Sequence, residues 1–171
     1  MSMGRIFLYS LLLGIACLGA FYLLVPELLV GEEPAFDARV GGYDPAVARA
    51  YLEYLERAEL IGPYLTFYRW IDTAFPAAVF GLLFSSIWGL WARPAPAIAV
   101  LGAFVAVGYA VADYVENAAV ATMLRAGSAD VTADAVNVAS AATQGKWVAI
   151  LGALGVIAAG ILVTLVRGTD R

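Results

Sequence analysis

The stretch Ala112-Asp113-Tyr114-Val115-Glu116-Asn117-Ala118 lies inside an unbroken apolar run from Ala97 to Leu124. That run is long enough to cross about 30 Å of hydrocarbon at about 1.5 Å per residue, so it reads as a membrane helix. A carboxylate at the centre of such a helix costs roughly 2.5 kcal/mol or more, and one is seldom present without a partner or a task. The spacing i, i+3, i+4 places Asp113, Glu116 and Asn117 on one helix face, with Tyr109 and Val120 extending it.

Three further runs are of similar length and character: Ile6 to Val25, Ile71 to Trp91, and Trp147 to Val166. With 63% hydrophobic and 14% charged residues and a mean hydropathy of +0.84, the 171-residue chain falls outside the range of soluble domains. The fold expected is all-α: an up-down four-helix transmembrane bundle forming one integral membrane domain over 1–171. The spans are expected at about 6–26, 68–92, 96–124 and 144–167. Arg5 followed by about 20 apolar residues exceeds the h-region of a secretory signal, which is about 7 to 15 residues, so the first run is read as a retained span.

Several function classes drop out on composition. Cys17 is the single cysteine and histidine is absent. This removes disulfide frameworks, Cys-x-x-Cys redox pairs, His-ligated haem, the common catalytic zinc sites and any His general base. No metal site and no cofactor are expected. A net charge of −4 offers no basic patch, so nucleic acid is not an expected partner. Nine of the ten basic residues are arginine, a bias that fits a high-GC bacterial genome and hence a bacterial inner membrane.

The one sizeable polar segment, 31–63, joins the first two spans, and with the adjoining Tyr64 it holds seven acids and three arginines. Asp44-Pro45 reads as an N-cap and first helical residue. Val47, Ala48, Tyr51, Leu52, Leu55 and Ala58 then repeat with helical spacing as far as Gly62-Pro63. A short amphipathic helix is expected in this first extramembrane loop. Its acidic polar face disfavours docking on anionic lipid, so it is read as capping the bundle. Arg93-Pro-Ala-Pro96 forms the second connection and 126–134 the third. Basic residues near span ends divide evenly between Arg5, Arg93, Arg167 and Arg171 on one side and Arg39, Arg49, Arg57 and Arg125 on the other. The compact first set places both termini in the cytoplasm.

Up-down topology brings the start of the second span, the end of the third and the start of the fourth to one membrane side. Arg69, Asp72, Asp113, Glu116, Asn117, Thr143 and Lys146, with Gln144 nearby, therefore share a depth and form the candidate site. Pro76 cannot donate to the Asp72 carbonyl, which leaves a bent helix with an exposed acceptor beside a carboxylate. Three acids against Arg69 and Lys146 leave one negative charge in excess, which burial neutralises by retaining a proton or binding a cation. Ala77, Gly81, Ser85 and Gly89 recur every four positions and allow close helix approach. Trp70, Trp88, Trp91 and Trp147 fall where interfacial anchors belong.

Tyr64-Leu65, Asp72-Thr-Ala-Phe-Pro76, Asp113-Tyr-Val-Glu-Asn117 and Thr143-Gln-Gly-Lys-Trp147 together resemble a group of small, uncharacterised bacterial four-span integral membrane proteins. The resemblance covers most of the chain from the long loop onward. It implies fold and location and carries no catalytic role.

Two kinds of function are compatible with these residues. A lipid- or partner-binding or scaffold component would use the cluster as a hydrogen-bonded clasp, its partners being the bilayer, a lipid headgroup or another membrane protein. Alternatively, a membrane-embedded enzyme or proton- or cation-coupled carrier would employ Asp72, Asp113, Glu116 and Lys146 as acid, base and anion holder. No nucleophile or metal motif supports the enzyme, and no inverted repeat supports the carrier.

Overall fold

A computed structural model describes residues 2–24, 26, 28 and 33–169, the side chains at 67, 68, 168 and 169 excepted. The expected end of the first span at Val25, the loop start at Gly31, and Glu32 and Arg171 lie outside the described residues. The elements are α1 (Met3–Leu24), a 3-10 turn (Phe36–Ala38) and α2 (Pro45–Arg57). A helical turn (Ile61–Pro63) and a π-helical turn (Tyr64–Tyr68) then run into α3 (Arg69–Trp91), followed by α4 (Pro96–Asp130) and α5 (Ala133–Thr169). The fold is all-α. Four helices, Met3–Leu24, Arg69–Trp91, Pro96–Asp130 and Ala133–Arg167, are long and apolar enough to cross a membrane.

α3, α4 and α5 pack on one another, whereas α1 docks on α3 and the π turn and sits at the edge of the group. Most of α1 faces outward, with Leu8, Ile15, Tyr22 and Leu23 exposed as lipid-facing residues. Its contact with α3 is close because Gly81 lacks a side chain: a Cβ there would strike the Ser10 hydroxymethyl of α1. The small-residue stripe thus serves α1 at Gly81, while Gly89 on the same stripe borders open space. Leu83, Ile87, Trp91, Ala99, Ala106, Tyr109 and Ala153 form an apolar core among α3, α4 and α5, with Gly102 making room for Ile87.

Two of the tryptophans expected as interfacial anchors make hydrogen bonds within the protein. Trp91 is 8% exposed and its indole N–H donates to the Val156 carbonyl at 3.0 Å. Trp147 donates to the Asp37 carbonyl at 3.1 Å. Trp70, 74% exposed, keeps an outward position.

The expected third connection at 126–134 is largely helix. α4 continues to Asp130 and α5 begins at Ala133, with a break at Gly127 (φ 74°, ψ 178°). The polar residues that read as loop are the projecting ends of two long helices. These ends, α2 and the loop before it enclose a second apolar core built on Phe36, Tyr51, Leu52, Leu55, Met123 and Val136. Phe36, Leu52 and Leu55 are fully buried, each contributing about 1.5–3 kcal/mol. The amphipathic helix therefore caps the bundle with its own core.

α2 starts as its sequence requires: the Asp44 carboxylate accepts from Val47 N at 2.8 Å and Pro45 takes the first position. It ends earlier than Gly62-Pro63. Glu59 turns left-handed (φ 57°), with Glu59 N donating to the Glu56 carbonyl and Leu60 N to the Leu55 carbonyl. That pattern is a Schellman closure with glutamate where glycine is usual. Across the cap, Glu56 accepts from the Ser128 backbone N–H (2.7 Å) and hydroxyl (2.6 Å), tying α2 to the break at Gly127.

Candidate functional site

Pro76 sets the site up. Lacking an N–H, it leaves the Asp72 carbonyl without a helical donor. The structure fills that vacancy from the next helix: Asn117 Nδ2 donates to the Asp72 carbonyl at 2.9 Å, and the Tyr114 hydroxyl donates to the Thr73 carbonyl at 3.0 Å. α3 is thereby stitched to α4 beside Pro76.

Next to Asn117 and one turn before it on α4, Glu116 and Asp113 meet α5. Lys146 Nζ lies 2.5 Å from Glu116 Oε2 and 3.9 Å from Asp113 Oδ1, with side chains 8%, 0% and 5% exposed. Thr143, one turn before Lys146 and fully buried, donates to Glu116 Oε1 at 2.5 Å. Tyr109 hydrogen-bonds Asp113 from below. Asp72, 7% exposed, has no basic side chain in ion-pair contact among the described residues.

Of the candidates, Asp72, Asp113, Glu116, Asn117, Thr143 and Lys146 come together at the level expected. Arg69 meets them only at the rim of a small cavity that it lines with Asp72, Glu116 and Asn117. It is exposed and makes no ion pair among the described residues. One turn nearer the cap rim than Asp72, its long side chain reaches water, where a guanidinium is better solvated than in the interior. Gln144 is likewise exposed and lies over Gly42, whose positive φ (78°) and missing Cβ make room for it. Without Arg69 the buried set holds three acids and one lysine.

Asp37 belongs to the site although the sequence reading left it among the loop acids. The 3-10 turn carries it inward beside buried Phe36, and the Trp147 indole holds its carbonyl. Phe36, an aromatic inside an acidic loop, was the one available signal. Asp37, Tyr64, Arg69, Asp72, Glu116 and Asn117 line a cavity of about 20 Å³, room for one water. The cap also anchors to α5 through Tyr43 N, which donates to Ser140 Oγ at 2.8 Å.

In the cap, burial pushes the Tyr43 and Tyr51 phenols well above their usual range, so both stay neutral. The two Ser128 donors hold the Glu56 carboxyl below the usual carboxylate range. Among the described residues no group of three or more His, Cys, Asp or Glu side chains is placed to hold a metal ion.

Fold and site together define a small multi-pass helical membrane protein whose buried ionic cluster joins three spans beneath a helical cap. No protein-family model, curated protein or solved structure matches the chain.

Proposed function

We propose that the protein is a binding or scaffold component of the cell membrane, with both termini cytoplasmic. On this reading the buried cluster is a clasp. It fixes α3, α4 and α5 in one arrangement and so holds the acidic cap as a rigid surface for a membrane-protein partner or a lipid headgroup. The observation that supports it is the closure of the cluster on itself. Thr143, Lys146 and Asn117 spend their donors on Glu116 and the Asp72 carbonyl, and the remaining cavity admits one water rather than a substrate.

A second reading is favoured by Asp72, a buried carboxyl on that cavity that makes no ion pair among the described residues. A proton- or cation-coupled carrier, or an embedded enzyme, would work from Asp72, Asp113, Glu116 and Lys146. Asp113→Asn separates the two. A clasp predicts a lower unfolding midpoint and no proton flux above empty vesicles in dye-loaded proteoliposomes, for wild type and variant alike. Flux in wild type that Asp113→Asn or Asp72→Asn abolishes at an unchanged midpoint would overturn the clasp in favour of the carrier.

A further inference from the structure

At the end of the bundle opposite the cap, two cavities meet. One, of about 540 Å³, lies between the ends of α3 and α5 and is lined by Leu90, Trp91, Arg93, Gly160, Thr164 and Arg167. The other, of about 420 Å³, runs deeper between α1, α3 and α5 along Phe7, Ser86, Ile157 and Ile161. Gly89 and Leu90 line both, so the two adjoin at these residues. Together they are basic at the helix ends and apolar toward the bilayer interior.

We propose that this composite cleft holds one anionic phospholipid, its phosphate between Arg93 and Arg167 and an acyl chain in the groove beside Phe7 and Ile157. Neither arginine makes an ion pair with an acidic side chain among the described residues, and their planar forks are suited to phosphate oxygens. Arg5, next to Gly4 on the groove wall, adds positive charge at the same end. Basic pockets between span ends select anionic headgroups because each cation near the membrane surface adds attraction that a zwitterionic headgroup offsets with its own ammonium. The volumes are those of ligand sites rather than packing defects. The junction is open space: a Cβ on Gly89 would meet nothing within 4 Å.

This inference goes beyond the binding role proposed above, which lies at the cap, and it uses residues remote from the clasp. The full-length protein, purified in detergent, is titrated with dioleoyl phosphatidylglycerol or dioleoyl phosphatidylcholine and examined by native mass spectrometry. Wild type is expected to retain one phosphatidylglycerol with roughly thirty-fold preference over phosphatidylcholine, from two interfacial cations. Arg93→Gln combined with Arg167→Gln should erase the preference. Gly89→Leu, which fills the open junction, should displace both lipids. Unfolding midpoints in lipid-free micelles should stay at the wild-type value for all variants, which separates this result from failure of the clasp. Equal retention of the two lipids by wild type overturns the proposal, as does a preference that survives the double arginine change. So does a phosphatidylglycerol adduct that survives Gly89→Leu, or inorganic phosphate competing as well as the lipid, either of which would mark a headgroup site without a chain.

Discussion

Replacing Lys146 by Met removes the one buried cation among the described residues while keeping most of the side chain's volume. Lys146 sits 2.5 Å from Glu116 and 3.9 Å from Asp113, with all three side chains at most 8% exposed. The cluster therefore belongs to the buried regime, where losing one partner costs about 3–5 kcal/mol because the other is left as an uncompensated charge. An exposed pair would lose at most about 1 kcal/mol. Glu116→Gln should cost less, about 1–3 kcal/mol, since Lys146 keeps Asp113 and the amide can still accept from Thr143. In the double variant the stranded Glu116 charge is gone, so its loss should fall short of the sum of the singles by about 2 kcal/mol. Equilibrium unfolding in mixed micelles with rising SDS fraction, followed by tryptophan emission, measures all three. A loss under about 1 kcal/mol for Lys146→Met, or strictly additive singles, would show that the cluster does not clasp the helices.

Asn117→Ala should cost about 0.6 kcal/mol and no more than about 1.7 in the same assay; in a Pro76→Ala background, where α3 again supplies its own donor to the Asp72 carbonyl, the cost should shrink toward zero. Gly81→Val pushes against Ser10 and should lift α1 off α3, exposing buried Cys17 to faster alkylation by a membrane-permeant maleimide at little cost to the other three spans. Glu59→Gly relieves a left-handed residue (φ 57°) and should stabilise the cap by about 1 kcal/mol, read as slower proteolysis within residues 45–60. Glu56, lowered by its Ser128 donors, contributes stability that is complete above its unfolded value near 4.5. The midpoint difference between wild type and Glu56→Gln should therefore hold from pH 7 down to about 5 and disappear as pH falls through and below 4.5.

What was legible in the sequence follows from periodicity and topology. Four apolar runs gave the spans, Asp44-Pro45 gave the start of α2, and alternating helix direction placed Asp72, Glu116 and Lys146 at one level. Asn117 and Pro76 could each be marked as polar opportunity and unmet need, though their pairing required the distance between α3 and α4. The projecting ends of α4 and α5 were not legible, because Ser128, Asp130 and Asp134 carry turn chemistry while the apolar partners that keep those ends helical, Val131, Val136 and Ala139, are buried only once α2 covers them. Asp37 was missed for a related reason. Its inward position depends on Trp147, 110 residues away, and no local pattern encodes so distant a hydrogen bond.

Helix lengths explain why the charges lie where they do. α4 has 35 residues and α5 has 37, about 52 and 55 Å, whereas hydrocarbon occupies about 30 Å, or some 20 residues. Counting such a length inward from Pro96 on α4, Trp91 on α3 and Thr169 on α5 reaches residues near 115, 72 and 150. On that count Asp72 falls at one hydrocarbon boundary, Lys146 beyond it and Asp113 just inside it, nearer the edge than the mid-bilayer position suggested by the run from Ala97 to Leu124 alone. The cap core, Phe36 and Tyr64 among its members, shields them from water on one side and the core around Ile87 and Tyr109 encloses them on the other. An ionic layer between two apolar cores penalises any sliding of one helix past another, since a shift by one turn would bury a charge in either core without its partner. That register penalty is what the proposed scaffold role would draw on, and it acts only while Lys146, Glu116 and Asp113 remain in contact.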